Sequence, residues 1–367
     1  MSTAQGQRSA KVLVAMSGGV DSSVAAQLLV EAGLEATGVT MKLFSNDILP
    51  PGEESTCCSL DDVEDARAIC RSLGIPHYTL NFGERFAEHV IDHFCSEYLS
   101  GHTPNPCIDC NRYLKFAALQ QRRRELGADY VATGHYARRL FDRQTGMWQL
   151  ACGLDRHKDQ SYVLYHLTQD DLEHMLFPLG DLTKSEVRSL AERCGYVNAD
   201  KAESQDICFV PDGDHVGFIA RSVEGDSVAF KSGDIVDRSG KVIGEHQGLI
   251  HYTIGQRKGI GIAAAEPLYV YGKDVDGNRS IVGVSDELLV DTVAAEDINL
   301  ISVSHIDGEV PVQVKTHYRQ KPVEGFARQV GDARIEVRYA TPQRISSPGQ
   351  ALVLYDGDIV VGGGTIV

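Results

Sequence analysis

The 367-residue sequence has no apolar run long enough to span a bilayer, and its first ten residues lack the apolar block of a secretory signal. We therefore expect no membrane association. Nine cysteines at irregular spacings predict reduced thiols in the cytoplasm. Basic residues are also scarce, because 35 Lys and Arg stand against 51 Asp and Glu, which gives a formal net charge of −16. Non-specific nucleic-acid binding depends on basic surface, so this balance disfavours a general polyanion binder.

The common nucleotide loop G-x-x-x-x-G-K-[ST] is absent as well, but a different glycine loop is present. The apolar run Val12–Met16 is followed by SGGVDS at 17–22, and Val24, Leu28 and Ala32 then recur at helical spacing. Two adjacent glycines at a helix start let backbone N–H groups approach an anion. The string resembles the pyrophosphate loop (PP-loop), SGGxDS, of ATP pyrophosphatases, which split ATP between the α and β phosphates and adenylate a second substrate. The alternative is a glycine turn that only joins a strand to a helix.

The first 135 residues alternate between strand and helix patterns. The pattern predicts strands at Glu35–Phe44, His77–Phe82 and Ala128–Thr133. It also predicts three helices: one that begins with the capping pair Ser59/Asp62, and two at Glu84–Leu99 and Asn111–Leu126. Such alternation predicts a parallel sheet with helices on both faces. In these sheets ligands bind beyond the carboxyl ends of the strands. We therefore expect residues 17–22, Met41 and Gly134-His135 to converge.

The rest of the chain changes character. A hairpin is predicted around Gln144–Gly146, and Thr183 forms a capping box with Glu186. Beyond about Gly213 the helical period fades, short β runs such as Ile250–Thr253 follow, and strands then dominate, as is typical of a small barrel or sandwich. We predict an α/β fold whose domains are a parallel-sheet, adenine-nucleotide-hydrolase-like ATP-binding catalytic domain (1–212), a small β-rich connector (213–290) and an all-β, barrel-like C-terminal domain (291–367).

Three cysteines stand in motifs. Cys107 and Cys110 lie in TPNPCIDC at 103–110, and Cys208 lies in SQDICFV at 204–210. Because Cys110 is predicted at the start of the Asn111 helix, unpaired N–H groups and the helix dipole favour its thiolate, which is a nucleophile. Three hypotheses remain open: a structural zinc site completed by His102 or Cys194, a pair that carries and transfers sulfur as a persulfide, and three ligands of a [4Fe-4S] cluster.

With both motifs in place, the whole sequence resembles the tRNA-specific 2-thiouridylases, the MnmA family. The strings that carry the resemblance are AMSGGVDSS at 15–23, TPNPCIDCNRYLKF at 103–116, ATGHYAR at 132–138, KDQSYVL at 158–164, SQDICFV at 204–210, HYTIGQRKGIGI at 251–262, HYRQ at 317–320 and SPGQ at 347–350. The resemblance implies an enzyme that uses ATP to replace oxygen with sulfur at carbon 2 of the wobble uridine in certain tRNAs.

The resemblance also implies roles for individual residues. Cys110 would be the nucleophile and Cys208 the persulfide carrier, or both would join Cys107 as candidate iron–sulfur ligands. The implied ATP-binding residues are Ala15, Met16, Ser17, Gly18, Gly19, Val20, Asp21, Ser22, Met41 and Gly134. The implied tRNA contacts are Asn105, Pro106, Cys107, His135, Lys158, Asp159, Gln160, Tyr318, Arg319 and Gln350, with residues 105–107 facing the target base.

One position departs from the family. Many members carry an acid where this chain has Cys107, so a carboxylate base at that position is impossible here and the cluster hypothesis gains support. The implied cofactors are ATP and Mg²⁺, with or without the cluster. The implied partners are the anticodon stem-loop of tRNA and a sulfur donor, either a relay protein or a cysteine desulfurase.

Two other functions compete with this interpretation. A PP-loop ligase or amidotransferase that acts on a small molecule would need no redox cysteines, and a non-catalytic ATP sensor would leave ATP intact. The thiolation hypothesis requires that Cys110 and Cys208, although distant in sequence, approach the mouth of the ATP loop.

Overall fold

The computed structural model describes residues 9–43, 60–201, 207–223 and 227–367. The strands are β1 (Lys11–Ala15), β2 (Glu35–Lys42), β3 (His77–Asn81), β4 (Tyr130–Ala132), β5 (Ala137–Asp142), β6 (Met147–Cys152), β7 (Met175–Leu176), β8 (Gly233–Val236), β9 (Val242–His246), β10 (Tyr269–Asp274), β11 (Arg279–Gly283), β12 (Leu289–Leu300), β13 (Val310–Lys315), β14 (Val323–Val330), β15 (Arg334–Arg344), β16 (Ala351–Asp356) and β17 (Ile359–Ile366).

The helices follow the same order. They are α1 (Val20–Glu31), α2 (Leu60–Ser72), α3 (Gly83–Phe86), α4 (Asp92–Leu99), α5 (Pro106–Asp109), α6 (Leu119–Glu125), α7 (Gln169–His174), α8 (Lys184–Arg193) and α9 (His215–Ser222), with π-helical segments at Ala87–Ile91 and Cys110–Ala118. None of the described helices combines the length and the apolar character that crossing a bilayer requires.

The chain divides into two compact units. The first comprises Met1–His89 and Cys107–Gly213, and the second comprises Val90–Pro106 and Asp214–Val367. In the first unit a five-stranded, fully parallel sheet has the order β3-β2-β1-β4-β7. The strand order reverses between β1 and β4, and in open α/β sheets ligands bind at such a point, outside the carboxyl ends of the strands. The core of the first unit includes the middle of β1, with Val12 and Val14 buried, and the inner face of α1, with Val24 and Ala25 buried.

The second unit holds two β structures. Strands β12-β15-β14-β13-β16-β17 form an antiparallel sheet that the β12–β17 pairing closes into a six-stranded barrel, whose interior is filled by residues such as Val314, Ile335 and Leu354. A separate four-stranded sheet, β10-β11-β8-β9, packs its own small core around Ile235 and Val270. The predicted fold class, a parallel α/β sheet followed by β-rich and barrel-like parts, is confirmed.

Several local predictions are also confirmed. Strands β5 and β6 pair as the hairpin predicted around Gln144–Gly146. Thr183 caps α8, because its side chain accepts from the backbone of Glu186 while the Glu186 carboxylate accepts from the backbone of Thr183. The predicted helix that follows Ser59 is present as α2. Ser59 itself, Phe44 at the end of a predicted strand and residues 204–206 of the second cysteine motif lie outside the described residues.

Other local predictions are wrong. Ile250–Thr253 does not form a strand, since Leu249–His251 is a short 3-10 helix after Gly248, whose φ of +124° turns the chain. A helix, α9, lies beyond Gly213, where the helical pattern was expected to fade; the Asp214 side chain caps it by accepting from the Gly217 N–H. The predicted domain boundaries at 212/213 and 290/291 stay a prediction, and the assignment of Val90–Pro106 to the second unit was not foreseen.

Candidate active site

The loop after β1 folds back on the start of α1. The Met16 N–H donates to the Val39 carbonyl at 2.8 Å, which extends the strand pairing up to the loop. The Ser22 hydroxyl then donates to the Gly19 carbonyl at 2.9 Å and accepts from the Ser17 N–H at 3.2 Å. Helix α1 begins at Val20, within the SGGVDS string. The loop is therefore a closed turn at a helix N-terminus, the arrangement that binds phosphate groups.

Glycine is required at position 18. Gly18 has a φ of +76°, and a Cβ there would collide with the backbone of Asp62 on α2. The buried Asn198 side chain holds the loop from another direction, because its amide donates to the Gly18 carbonyl at 2.8 Å and to the Ser23 hydroxyl at 2.9 Å. Contacts with α2 and with Asn198 therefore hold the loop in place.

The loop after β4 meets the same helix start. A Cβ at Gly134 would lie 2.9 Å from the Asp21 carbonyl carbon and 2.9 Å from the Ser22 nitrogen, so the two segments touch through their backbones. Met41 is the penultimate residue of β2 and is buried at the same edge of the sheet. The structure therefore brings the 17–22 loop, Gly134 and the end of β2 to one edge of the sheet.

Asp21 is held by two side chains that the sequence analysis missed. Lys184 Nζ lies 2.8 Å from both carboxylate oxygens of Asp21, and the Tyr136 hydroxyl donates to Oδ1 at 2.7 Å. The Lys184 side chain is 11% exposed and that of Asp21 is 32% exposed, so the ion pair is largely shielded from water. Lys184 is the first residue of α8, which the Thr183 capping box starts. The capping box was the available signal, but nothing local pairs Lys184 with a residue 163 positions earlier.

His135 follows Gly134 and is buried. Its Nδ1 lies 2.8 Å from the Thr133 hydroxyl, and its ring lies 6.2 Å from that of Phe116. Burial, together with the nearby Lys115 cation, holds the pKa of the His135 imidazole well below its usual value, so the ring is neutral at pH 7. Phe116 belongs to the helical stretch that begins with Pro106 and carries Cys110, so this stretch reaches the carboxyl edge of the sheet.

The 158–160 segment connects to the Asp21 cluster through Tyr136. The Gln160 side chain accepts from the Tyr136 N–H at 3.0 Å, and the Gln160 N–H donates to the Tyr136 carbonyl at 2.9 Å. The Asp159 carboxylate accepts from the backbone N–H groups of Gly153 and Ser161 and from the Ser161 hydroxyl. In this structure Asp159 and Gln160 shape the loop, and Lys158 beside them is half-buried.

The two cysteines of the first motif lie on one helical stretch. The predicted helix start at Asn111 is wrong, because the stretch begins at Pro106 and continues through the π-helical segment that starts at Cys110. Of the two cysteines, Cys107 therefore lies in the first turn and is exposed, whereas Cys110 lies beyond that turn and is buried. The predicted stabilisation of the Cys110 thiolate by the helix N-terminus is therefore wrong, because that effect is confined to the first turn. Pro106 occupies the first helical position, where its missing N–H costs nothing.

Cys208 is half-buried in a turn closed by the Val210 N–H, which donates to the Ile207 carbonyl at 2.9 Å. The next residue, Phe209, packs edge-on against Phe86 with ring centroids 5.7 Å apart. One turn along from Phe86, His89 stacks on Tyr113 at 4.8 Å. Residues 86–89 therefore contact both the turn of Cys208 and the helical stretch of Cys110.

Three family models match the chain in order. Residues 10–212 match the tRNA methyl transferase HUP domain, residues 224–284 the tRNA methyl transferase PRC-barrel domain, and residues 290–366 the Aminomethyltransferase beta-barrel domain. A relative from Caldanaerobacter subterraneus subsp. tengcongensis, tRNA-specific 2-thiouridylase MnmA 1, is 47% identical over 360 residues that cover 97% of each chain. The chain belongs to the MnmA family. MnmA of Moorella thermoacetica is 49% identical and covers 96% of this chain and 98% of its own length.

Among solved structures, a 4-thiouridine synthetase in complex with RNA and ATP is similar over 58% of this chain and 50% of its own, with 19% identity and a TM-score of 0.38. That score is too low to support an argument about this MnmA-family chain. The full-length matches instead confirm the resemblance from the sequence motifs, and both MnmA relatives bear a thiouridylase name although two matched domain models are named after methyl transfer.

The remaining predicted residues of this MnmA-family chain lie in its second unit. Asn105 and Pro106 end the Val90–Pro106 segment of this unit. Tyr318 and Arg319 follow β13; Arg319 is exposed, and Tyr318 is half-buried with its ring centroid 6.0 Å from Lys315 Nζ. The Gln350 side-chain amide donates to the Thr103 carbonyl.

Within the described residues no group of three or more His, Cys, Asp or Glu side chains is arranged to hold a metal ion. Cys107, Cys110 and Cys208 are all among these residues, so in this structure they form neither a zinc site nor a set of cluster ligands. His102, one proposed fourth zinc ligand, pairs instead with the Glu97 carboxylate at 3.0 Å.

Proposed function

We propose that this chain replaces the oxygen at carbon 2 of the tRNA wobble uridine with sulfur, using ATP to activate that oxygen. The observation that carries the proposal is the end-to-end identity of 47–49% with relatives named tRNA-specific 2-thiouridylases. The closed SGGVDS loop supports it, since a phosphate-binding turn is what an ATP pyrophosphatase requires. Nothing in the described structure favours the small-molecule ligase or the ATP sensor.

ATP would lie at the carboxyl edge of the parallel sheet. Residues 15–22, Met41 and Gly134 line this edge, and the N-terminus of the 12-residue helix α1 places its dipole at the loop. Lys184 adds a largely buried cation beside Asp21. In the proposed reaction the uridine oxygen attacks the α phosphate, pyrophosphate leaves, and the loop and Lys184 stabilise the charge on the departing pyrophosphate.

Mg²⁺ fits this site in part. Asp21 supplies a carboxylate, and the phosphates and water would supply the other oxygen ligands that Mg²⁺ prefers. Both Asp21 oxygens are now bonded to Lys184, so the ion and the lysine would share the carboxylate. When bound, Mg²⁺ would neutralise phosphate charge; the protein's own part is to orient Asp21 through Tyr136.

Sulfur would arrive as a persulfide on Cys208. Its terminal sulfur attacks carbon 2 of the adenylated uridine, AMP leaves with the former oxygen, and the Cys110 thiolate then attacks Sγ of Cys208. This breaks the bond between the two sulfurs, leaves the terminal sulfur on carbon 2 and forms a Cys110–Cys208 disulfide, which an external thiol must reduce. The contacts of residues 86–89 with both cysteine segments support this pairing.

The cluster mechanism does not fit the described side chains. Because Cys107, Cys110 and Cys208 form no ligand group, we derive no step through a [4Fe-4S] cluster. Cys107 separates the two mechanisms experimentally: thiolation by a Cys107→Ser variant that contains no iron after anaerobic purification would support the persulfide route. Loss of both iron and activity in that variant would support the cluster instead.

The tRNA contacts remain those that the resemblance implies. Asn105, Pro106 and Cys107 would face the target base, and single-stranded loops such as the anticodon loop can present a splayed base. Arg319 is exposed and could pair with phosphate, while Tyr318 beside it could stack. The other proposed contacts are His135, Lys158, Asp159, Gln160 and Gln350. A relay protein or cysteine desulfurase would load Cys208.

The test uses single thiol substitutions. Cys110→Ser and Cys208→Ser should each abolish 2-thiouridine formation, measured by nucleoside analysis of tRNA after incubation with ATP and a sulfur donor, while ATP binding persists. Cys194→Ser, at an exposed thiol outside the motifs, is the matched control and should remain active. Turnover at the wild-type rate by either motif variant would refute the assignment. A tRNA-independent release of pyrophosphate would favour the small-molecule ligase.

A further inference from the structure

Both backbone polar groups of Thr103 are bonded to one short segment of the barrel unit, Pro348–Gln350. The Thr103 N–H donates to the Pro348 carbonyl at 2.9 Å, and the Thr103 carbonyl accepts from the Gln350 side-chain amide. Thr103 opens the TPNPC string that leads to the proposed target-base residues. A chain segment held at both its donor and its acceptor has little freedom to rotate at that residue.

The 348–350 segment is itself fixed to the last strand of the barrel. The Gly349 N–H donates to the Ile366 carbonyl at 2.9 Å, and the Ile366 N–H donates to the Gln350 carbonyl at 2.8 Å. Behind it, the buried Ser346 hydroxyl donates to that of Thr316 at 2.7 Å. The hydrogen bond from Gln350 to Thr103 therefore starts from an anchored point.

The fit between the two segments is close. Gly349 has a φ of +86°, and a Cβ there would lie 3.2 Å from a Glu97 carboxylate oxygen, 3.2 Å from the His102 Cβ and 3.3 Å from the Thr103 carbonyl carbon. The Thr103 hydroxyl is buried and has no hydrogen-bond partner among the described residues. A buried hydroxyl without a partner is unfavourable, so other contacts of Thr103 must hold it in place.

We propose that Gln350 is a positioning residue: its side-chain amide fixes Thr103 and so orients the residues that follow, Asn105 to Cys107, for the target base. The proposal rests on the proposed thiolation, and it gives Gln350 a role in the protein before tRNA binds. A direct RNA contact alone would leave the 103–107 backbone unaffected by substitution of Gln350 in the free protein.

The first measurement is amide hydrogen exchange on the full-length protein without tRNA. Gln350→Ala removes one hydrogen bond from Thr103, so peptides covering residues 100–110 should exchange about two- to tenfold faster. Gln350→Glu keeps the side-chain shape but cannot donate, so it should exchange at least as fast. Gln343→Ala is the matched control and should leave this region unchanged, because among the described residues the Gln343 side-chain amide donates to Thr341 on the barrel surface.

The second measurement is thiolation at saturating tRNA. A positioning role predicts that Gln350→Ala lowers kcat while the KM for ATP is unchanged. Unchanged exchange at 100–110 in both Gln350 variants overturns the proposal, even if the KM for tRNA rises, and so does faster exchange with a wild-type kcat. If the wild-type protein makes no 2-thiouridine, the proposed function fails, and the exchange experiment still reports on the Gln350–Thr103 contact.

Discussion

Replacement of Lys184 by methionine tests the Asp21 ion pair most directly. Methionine keeps the length of the side chain but removes the charge that lies 2.8 Å from both Asp21 oxygens. Hydrogen bonds to a charged group contribute about 1.5–3 kcal/mol, and the pair is only 11% exposed on the lysine side, so solvent screening is limited. If the same cation faces the bound phosphates, ATP affinity should fall about 10- to 150-fold.

The assay is calorimetric titration of the variant with a non-hydrolysable ATP analogue and Mg²⁺, alongside thermal unfolding without ligand. Lys184→Met should weaken ATP binding. It should also lower Tm, because Asp21 loses its ion pair and, among the described residues, keeps the hydrogen bond from the Tyr136 hydroxyl. Lys201→Met is the control, since Lys201 is paired with Asp62 and Asp65 instead. It should change Tm without a comparable loss of ATP affinity.

A double-mutant cycle decides whether Lys184 acts through Asp21. Asp21→Asn removes the charge that Lys184 balances, so its effect on stability and that of Lys184→Met should not add. Additive losses of stability, or ATP binding by Lys184→Met at wild-type affinity, would refute the role that we derive for this ion pair.

Three further predictions concern the same edge of the sheet. Gly134→Ala places a methyl group against the Asp21 and Ser22 backbone, so it should cost about 1–3 kcal/mol and weaken ATP binding, whereas Gly272→Ala, where the nearest atom would lie at 3.8 Å, should do neither. The pKa of His135 lies below its unfolded value of 6.5, so the unfolded chain binds the extra proton first and stability falls as the pH drops below that value. His135→Gln should therefore lose about 1 kcal/mol less stability than wild type between roughly pH 7.5 and 5.5, and an unchanged pH profile in urea unfolding would contradict the burial argument. Thr183→Ala removes the cap of α8 and should cost about 1 kcal/mol, measured as a lower Tm; an unchanged Tm would show that the capping box contributes nothing.

The features that could be predicted from sequence are those with local causes. The glycine loop, the alternation that makes a parallel sheet, the hairpin at 144–146 and the Thr183 cap each depend on residues within one or two turns of each other. The carboxyl ends of parallel strands share one edge of the sheet, so the meeting of residues 17–22 and Gly134 follows from that alternation. The strand order β3-β2-β1-β4-β7 was not predicted.

The features that could not be predicted depend on tertiary contacts. Pro106 is compatible with either a loop or a first helical turn, and the structure contains the helical turn. Helix α9 has only eight residues and includes Gly217, so its local propensity is weak, and it forms because Phe218 and Ile219 are buried. The Lys184–Asp21 pair joins residues 163 positions apart, which no local pattern records.

Tyr136 lies between two groups of residues with different proposed ligands. Its backbone is bonded to Gln160, in the segment proposed to touch tRNA, and its hydroxyl is bonded to Asp21, in the loop proposed to bind ATP. A shift of Gln160 on RNA binding would therefore reach the Asp21 carboxylate through one residue, Tyr136. Linkage between two ligands is reciprocal, so any factor by which tRNA tightens ATP binding must equal the factor by which ATP tightens tRNA binding. Substituting phenylalanine for Tyr136 would remove the hydroxyl that joins the two events.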